Sequence, residues 1–512
     1  MQTNILAYFE NGAARHQPEK VAIVDGEARC TFAELERLAK CTAACLLARE
    51  AMLHQPVAVF LPKSAAVIYA NLGIVYSGNI YTNIDIKSPP QRLSNLFANV
   101  SPHTVITSRA FGAQVTAAGI AAEQLLYIED IQTYPEPVDS AWLWERLAGV
   151  VDTDPLCLIN TSGSTGTPKS VVLSHRGTID FMDWVFDTFD LDSQTVIGSL
   201  SPFTFDIYTL ELLLCLAKGA TLVIIPEQLA LFPVRLLEFV AGNGISFLFW
   251  VPSIMVNIAN LGLLDQCPLP TLNNLFFAGE VFPTRQLNQW RRSLPHTRFV
   301  NLYGPIEIHV DCTFFIVDRE FADHEALPIG RACRNTDILL LNESDQPCAP
   351  GEQGELCVRG TSLALGYWND PEKTAKAFVQ NPLNTRYPEL IYRTGDLAYQ
   401  NETGELYLNG RRDFQIKHMG YRIELGEIEH QVLCIDGIAN ACVVYSAAAK
   451  EITLFYTVLS APVAPAAIRV ALSGVLPKYM LPTVFHPIDT MPQNANGKID
   501  RNALVRSLSE QP

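Results

Sequence analysis

Residues 158–172 read LINTSGSTGTPKSVV, an apolar run followed by small and hydroxylated residues and then a lysine. Leu158 and Ile159 suit a buried strand. Thr161, Ser162, Gly163, Ser164, Thr165 and Gly166 offer hydroxyls and flexible backbone N–H groups that can wrap an anion. Lys169 adds a positive charge, and the whole predicts a phosphate grip. A Walker A loop competes, because Gly163 and the pair Lys169–Ser170 stand at the spacing of GxxxxGKS/T. Pro168, however, replaces the motif's second glycine; it has no N–H to give a phosphate and its φ is fixed, so the Walker reading fails. A plain hydroxylated surface turn remains the alternative for the string taken alone.

The chain around this stretch has 512 residues, too many for one core, and should split into two or more domains. With 48% hydrophobic and 18% charged residues it has the composition of an ordinary globular protein. A formal net charge of −16 argues against nonspecific nucleic-acid binding, which needs clustered Lys and Arg. The most apolar stretch, Phe247 to Leu264, is broken by Pro252, Ser253, Asn257, Asn260 and Gly262, which is wrong for a membrane span. The N-terminus lacks the basic start, apolar core and cleavage site of a secretory signal, so a cytoplasmic location is expected. The twelve cysteines show no CxxC pairs or His partners at metal-ligand spacing, which predicts reduced, buried thiols.

Strand candidates Val21 to Val24, Val57 to Leu61, Thr104 to Thr107, Leu158 to Asn160 and Thr221 to Ile225 alternate with helical stretches such as Ala65 to Tyr76 and Thr178 to Phe189. That alternation predicts α/β layers. Thr31 with Glu34 makes a capping box ahead of an amphipathic helix. Asn79 to Gln91 is rich in turn residues and is expected to cross between layers. From about Glu355 short β runs with glycine punctuation (GELCVRG, Leu390 to Arg393, GELYLNG) predict ribbons or a small barrel. After Asp413 a strand, turn, strand, helix, second hairpin and final helix predict a separate α+β domain, giving a division into residues 1–412 and 413–512.

Three more strings carry the functional reading. Tyr303-Gly304-Pro305-Ile306-Glu307 is by composition a tight turn, Tyr392-Arg393-Thr394-Gly395-Asp396 a strand entering a turn, and Asn494 to Arg501, NANGKIDR, a polar turn with Lys498 at its tip. Together with residues 158–172, and in this order, they resemble the signatures of the adenylate-forming superfamily: acyl-CoA synthetases, luciferases and the adenylation domains of nonribosomal peptide synthesis. The resemblance implies a large adenylate-forming core with a small mobile C-terminal domain. It implies that Tyr303 stacks on the adenine of ATP, that Asp396 accepts from both ribose hydroxyls, that Arg411 serves the ribose and phosphates, and that Glu307 holds Mg²⁺. Lys498 would bridge the substrate carboxylate and the α-phosphate. Asp413 would be the hinge, and Lys417 and Gly420 would face the site in the second half-reaction. Two positions depart from the pattern: Ile306 replaces a threonine and Ser170 a glycine. The loss of one neutral hydrogen bond, about 0.5 to 1.5 kcal/mol, would weaken nucleotide contacts without abolishing chemistry.

Ser201-Pro202-Phe203-Thr204-Phe205-Asp206 matches the SPxxFD-like segment of the superfamily's amino-acid activators, whose aspartate pairs with the substrate α-ammonium. Taken alone, Asp206 is a helix N-cap. By the same resemblance the pocket falls on Asp206, Ile207, Leu210, Phe249, Phe276, Ala278, Leu302, Val310, Asp311 and Lys498, a small apolar lining similar to that of proline activators that load a free-standing carrier. Asp311 is the misfit: pointing inward it is either an unpaired buried charge or a partner for a polar substrate. No GGxSL-type carrier serine and no HHxxxDG condensation motif occurs. The resemblance therefore implies a stand-alone ligase that converts ATP and a small L-amino acid, L-proline as best match, to aminoacyl-AMP. The acyl group would then pass to the phosphopantetheine thiol of a separate carrier protein, with no nucleic-acid or membrane partner. A D-alanine:carrier ligase shares this layout. A non-catalytic nucleotide-binding regulator is opposed by intact Glu307, Asp396 and Lys498.

Overall fold

The strands expected at 57–61, 104–107 and 158–160 form as Pro56–Phe60, Thr104–Thr107 and Pro155–Thr161 in one sheet of a computed structural model. It describes the chain apart from residues 1, 50–51, 136–137, 139, 163–167, 413, 448, 460, 494–498 and 510–512. The parallel part of this sheet runs Pro155–Thr161, Ile80–Asn83, Pro56–Phe60, Thr104–Thr107, Leu125–Tyr127. Lys169–Ser174 returns antiparallel beside Pro155–Thr161, and Gly366–Tyr367 closes that edge. Asn79 to Gln91 is therefore only partly a crossing segment, because it begins with the buried strand Ile80–Asn83. Tyr81 and Thr82 suit a pleated position, but the run is too short to stand out against the turn residues that follow it.

A second sheet holds the parallel series Val21–Asp25, Thr221–Ile224, Val196–Ser199, Phe247–Trp250, Asn274–Phe277, Arg298–Tyr303, with antiparallel strands at both edges. Phe247–Trp250 shows why the series reads as unbroken apolar runs. Phe247 and Phe249 enter one core while Leu248 and Trp250 enter another on the opposite face. A parallel sheet covered on both faces has no side left for polar residues. The helices Phe32–Arg49, Ala65–Tyr76 and Ile207–Lys218 fill the layer between the two sheets. From Val67 to Tyr76 every residue is buried, as expected of a helix that is apolar all round. Thr31 Oγ1 accepts the Glu34 N–H at 3.2 Å and so caps the first of these helices. Helix His175–Thr188 starts three residues earlier than expected because Ser174 Oγ caps it, accepting from the Gly177 N–H at 3.2 Å.

The glycine-punctuated segment forms an antiparallel sheet of Thr336–Leu341, Gly354–Gly360, Leu390–Gln400, Phe378–Gln380 and Leu406–Arg411. Beyond residue 413 come the hairpin Gln415–His418/Tyr421–Glu424, the helix Leu425–Leu433 and a hairpin of Ile438–Ser446 and Glu451–Val458. Where one final helix was expected, two follow, Pro465–Ser473 and Arg501–Ser509, with strand Val484–Pro487 between them. Ile428, Val443, Leu454, Ile468 and Leu472 give it a core of its own. Among the described residues no helix is long and apolar enough to cross a membrane. The cysteines are free thiols, most of them buried.

Gly330 joins the second sheet to the antiparallel one: its C=O accepts the Leu406 N–H at 2.7 Å, and the neighbouring Ile329 N–H donates to Leu406 O at 2.8 Å. Its φ is 84°, and a Cβ there would lie 1.9 Å from the Phe314 carbonyl oxygen. Gly330→Ala is expected to lose at least about 1 to 3 kcal/mol from left-handed backbone alone, read as a lowered thermal unfolding midpoint. An unchanged midpoint would show that this junction yields easily.

Candidate active site

The ends of the parallel strands converge on a cavity of about 320 Å³. The second sheet presents Asp206 and Ile207 after Val196–Ser199, Val251 after Phe247–Trp250, Ala278 and Gly279 after Asn274–Phe277, and Gly304, Pro305 and Ile306 after Arg298–Tyr303. The first sheet adds Thr161 and Ser162 at the end of Pro155–Thr161. Asp396 and Arg411 line the side nearest the antiparallel sheet. Gly304 sits where a Cβ would meet the Asp311 Cα at 2.5 Å, so the Tyr-Gly-Pro turn needs its glycine for close packing.

Beside the antiparallel sheet, Tyr303 Oη donates to Asp396 Oδ2 at 2.5 Å, and Arg411 Nη1 donates to Asp396 Oδ1 at 2.5 Å. Arg411 Nη2 also donates to the Thr394 carbonyl at 3.1 Å. Three residues from separate motifs are thus one hydrogen-bonded unit. Tyr303 itself is buried beside the cavity and is not part of its lining.

Glu307 is 0% exposed. Its Oε1 accepts from Tyr367 Oη at 2.8 Å and lies 3.3 Å from Lys169 Nζ, while Oε2 accepts from Arg422 Nη1 at 2.7 Å. Burial pushes this carboxyl's pKa up, but the charges of Arg422 and Lys169 outweigh it and hold the group well below the usual carboxylate range. The Mg²⁺ expected on Glu307 does not fit this arrangement, because a divalent cation there would sit against two positive groups already in place. Among the described residues no cluster of three His, Cys, Asp or Glu could hold a metal. Arg422 and Tyr367 escaped sequence reading; Arg422 stands inside the motif-rich GRRDFQIKHMGYRIELGEIE, yet nothing local distinguishes it from a solvated arginine.

On the opposite side, Asp206 caps helix Ile207–Lys218, its Oδ1 accepting from the Ile207 N–H at 3.0 Å, and it also lines the cavity. The capping expected of it is therefore present, and the side chain also stands at the cavity. Burial pushes its carboxyl up to about 7 against the opposing charge of Lys417. Ile207, Phe249, Ala278, Val310 and Asp311 share the wall. Leu210, Phe276 and Leu302 are buried behind it; the Phe276 ring packs 4.6 Å from that of Phe189 and 4.9 Å from that of Phe247.

The hairpin beyond residue 413 closes the cavity. Lys417, Gly420, Tyr421 and Arg422 line it. Ser162 Oγ donates to the Arg422 carbonyl at 2.7 Å and accepts from the Glu424 N–H at 3.3 Å. The Gly420 N–H donates to Glu280 Oε1 at 2.9 Å, and behind the hairpin Arg92 Nη1 pairs with Glu427 Oε1 at 2.6 Å, both buried. Ser170, one of the two departures, is buried; its hydroxyl donates to Asn160 Oδ1 at 2.6 Å and accepts from Asn99 Nδ2 at 2.9 Å. Gly163, Ser164, Thr165, Gly166, Asp413 and Lys498 lie outside the described residues.

Residues 9–368 match the model of the AMP-binding enzyme family. The chain is 30% identical to tyrocidine synthase 1 of Brevibacillus parabrevis over 98% of its own length and 46% of that protein. It is 30% identical to bacitracin synthase 3 of Bacillus licheniformis over 97% of its length and 8% of the relative. It thus spans less than half of either. Zwittermicin A synthase ZmaJ of Bacillus cereus, 28% identical, is covered over 95% of its length. Among solved structures, IdnL1 superposes with a TM-score of 0.80 at 28% identity, over 94% of this chain and 98% of that one. The fold is also that of holo-PA1221, an NRPS protein containing adenylation and PCP domains, with a TM-score of 0.82 over 99% of this chain and 84% of that one at 24% identity. With the family match spanning most of its length and the strand-end cavity carrying the expected motifs, the chain belongs to the adenylate-forming AMP-binding enzyme family.

Proposed function

We propose that the chain activates a compact L-amino acid of proline's size and hands it to a carrier thiol. A carboxylate oxygen of the amino acid attacks the α-phosphorus of ATP, pyrophosphate leaves, and aminoacyl-AMP forms. The phosphopantetheine thiol of a separate carrier protein then attacks the acyl carbon, AMP leaves, and a thioester remains. The observation that carries this reading is Asp206, a half-buried carboxylate in the wall of a cavity that Asp396 and Arg411 also line. An α-ammonium at Asp206 would restore the charge balance that burial disturbs. Ile207, Phe249, Ala278 and Val310 supply a wall for a small apolar surface. Thr161, Ser162, residues 163–166 and Lys169 are assigned to the phosphates, and Asp396 with Arg411 to the ribose.

Lys498 is assigned to the first half-reaction, as the cation between the two reacting groups. Rotation of residues 413–512 about Asp413 would then bring Lys417 and Gly420 to the cavity for the second. The docked hairpin supports the latter arrangement, since both residues line the cavity. The relation to an NRPS protein containing adenylation and PCP domains supports a carrier as the partner.

Asp206→Ala should reduce amino-acid-dependent ATP–pyrophosphate exchange by roughly a hundredfold to several thousandfold, since removing one partner of a buried pair costs about 3 to 5 kcal/mol. ATP affinity should hardly change. Because the Asp206 carboxyl is raised to about 7, it is neutral and unable to pair with an ammonium below that pH. The KM for the amino acid should therefore fall as pH rises through about 7, and Asp206→Ala should abolish that trend. Exchange supported equally well by the amine-free acid would overturn the assignment.

Arg422→Ala and Lys498→Ala should have opposite effects. The first removes the cation that ties the hairpin to Glu307, so thioester transfer should fall by about a hundredfold or more while pyrophosphate exchange persists. The second should suppress exchange but spare transfer from preformed adenylate. Equal losses in both half-reactions for either variant would count against the division of labour.

A further inference from the structure

Ser199 ends a strand of the second sheet, and the chain running on from it brings Thr204, Phe205 and Asp206 into the cavity wall. What holds this stretch lies beneath it. Glu211, in the second turn of helix Ile207–Lys218, is wholly buried. Its Oε2 accepts from Ser199 Oγ at 2.5 Å, so the segment 199–211 is closed on itself. Its Oε1 is buried without a hydrogen-bond partner among the described residues. Lys63 reaches in from the turn between strand Pro56–Phe60 and helix Ala65–Tyr76. Its Nζ donates to the Ser199 carbonyl at 2.8 Å and stands 5.1 Å from the centre of the Phe203 ring. The Phe203 carbonyl in turn accepts from Asn83 Nδ2 at 2.8 Å, and Asn83 lines the cavity.

Burial pushes the Glu211 carboxyl up and the Lys63 ammonium down, and each is the strongest charge opposing that push on the other; Glu227 and Asp25 also act on Lys63. Neither side chain is part of the cavity lining. Two buried charges are a poor way to stabilise a helical layer, since apolar side chains of similar volume do as well or better. They are an effective way to fix geometry, because either charge left alone is costly. Building on the amino-acid-activating reading, we propose that Lys63 and Glu211 are positioning residues which, through Ser199 and Phe203, set where Asp206 presents its carboxylate to the substrate ammonium. They therefore govern the amino acid and not the nucleotide. The Asp396–Arg411 unit stands on the antiparallel sheet, so a shift of the segment before Asp206 leaves it in place.

The test is pyrophosphate exchange by the full chain, using whichever standard amino acid the wild type activates best and measuring its KM and that for ATP separately. Lys63→Met should raise the amino-acid KM by roughly ten- to a hundredfold, as a small misplacement of a binding group does, and leave the KM for ATP unchanged. Lys63→Arg keeps the charge and the donors and should restore most of the loss. Lys63→Met combined with Glu211→Gln removes both charges and leaves neither unpaired. It should melt close to the wild type while keeping the raised amino-acid KM. In the Asp206→Ala background Lys63→Met should cost little more, since the group it positions is gone. Equal rises in both KM values, or a Lys63→Met loss undiminished in the Asp206→Ala background, would reduce the pair to a structural role and leave amino-acid activation intact. Exchange with no amino acid at all would remove the underlying reading, and this proposal with it.

Discussion

A carboxylate sealed from water keeps its charge only if cations and hydrogen-bond donors are fixed around it, and Glu307 gathers two cations and a hydroxyl from segments far apart in the chain. Lys169 comes from the first sheet, Tyr367 from the short strand at that sheet's edge, Arg422 from the hairpin beyond residue 413, and Glu307 itself from the turn after Arg298–Tyr303. Pairs of this kind add little net stability, because desolvation offsets most of the attraction, whereas removing one partner is costly. The cluster therefore acts mainly on position. It fixes strand Lys169–Ser174, the Tyr-Gly-Pro turn and the hairpin relative to one another, and the cavity lies among them.

The placement of the remaining groups follows from topology. In open parallel sheets ligands bind beyond the carboxyl ends of the strands, where loops diverge over a crevice. Here two such sheets direct their strand ends to one cavity, so the second sheet can supply Asp206, Ala278 and Gly304 while the first supplies Thr161 and Ser162. The helical layer between the sheets accounts for the depth of the site. Phe249 is wholly buried and faces the side of the sheet that packs on those helices, which places an apolar floor beneath a polar rim.

Much of this was legible in the sequence because the governing signals are local. Ala65–Tyr76 could be delimited from its apolar run, interrupted by the polar Asn71, and the Tyr-Gly-Pro and Tyr-Arg-Thr-Gly-Asp strings marked Tyr303 and Asp396, which form a direct hydrogen bond. What was missed depends on contacts between segments far apart in the chain. Ile80–Asn83 is a strand because it has a neighbour on each side, not because four residues declare it. Phe276 was expected at the substrate; it shares the sheet face of Phe249 and Ala278 but packs deeper, against the rings of Phe189 and Phe247, behind the wall. Arg422 is 115 residues from Glu307, and no spacing rule reaches that far.

The two departures from the family pattern can also be judged physically. A nucleotide site losing its function would be expected to lose its polar contacts at random. Ser170 instead adds a hydroxyl that is fully paired, linking Asn99 to Asn160, whose own Nδ2 donates to Thr82 Oγ1 at 2.9 Å. This half-buried chain ties strand Pro155–Thr161 to the strand beside it and to helix Pro90–Val100, so serine there adds a link between them. Ile306 lines the cavity while the next residue, Glu307, keeps every one of its charged partners. A side chain exchanged on the rim above an intact ion cluster changes how a ligand is contacted and leaves the framework that positions it in place.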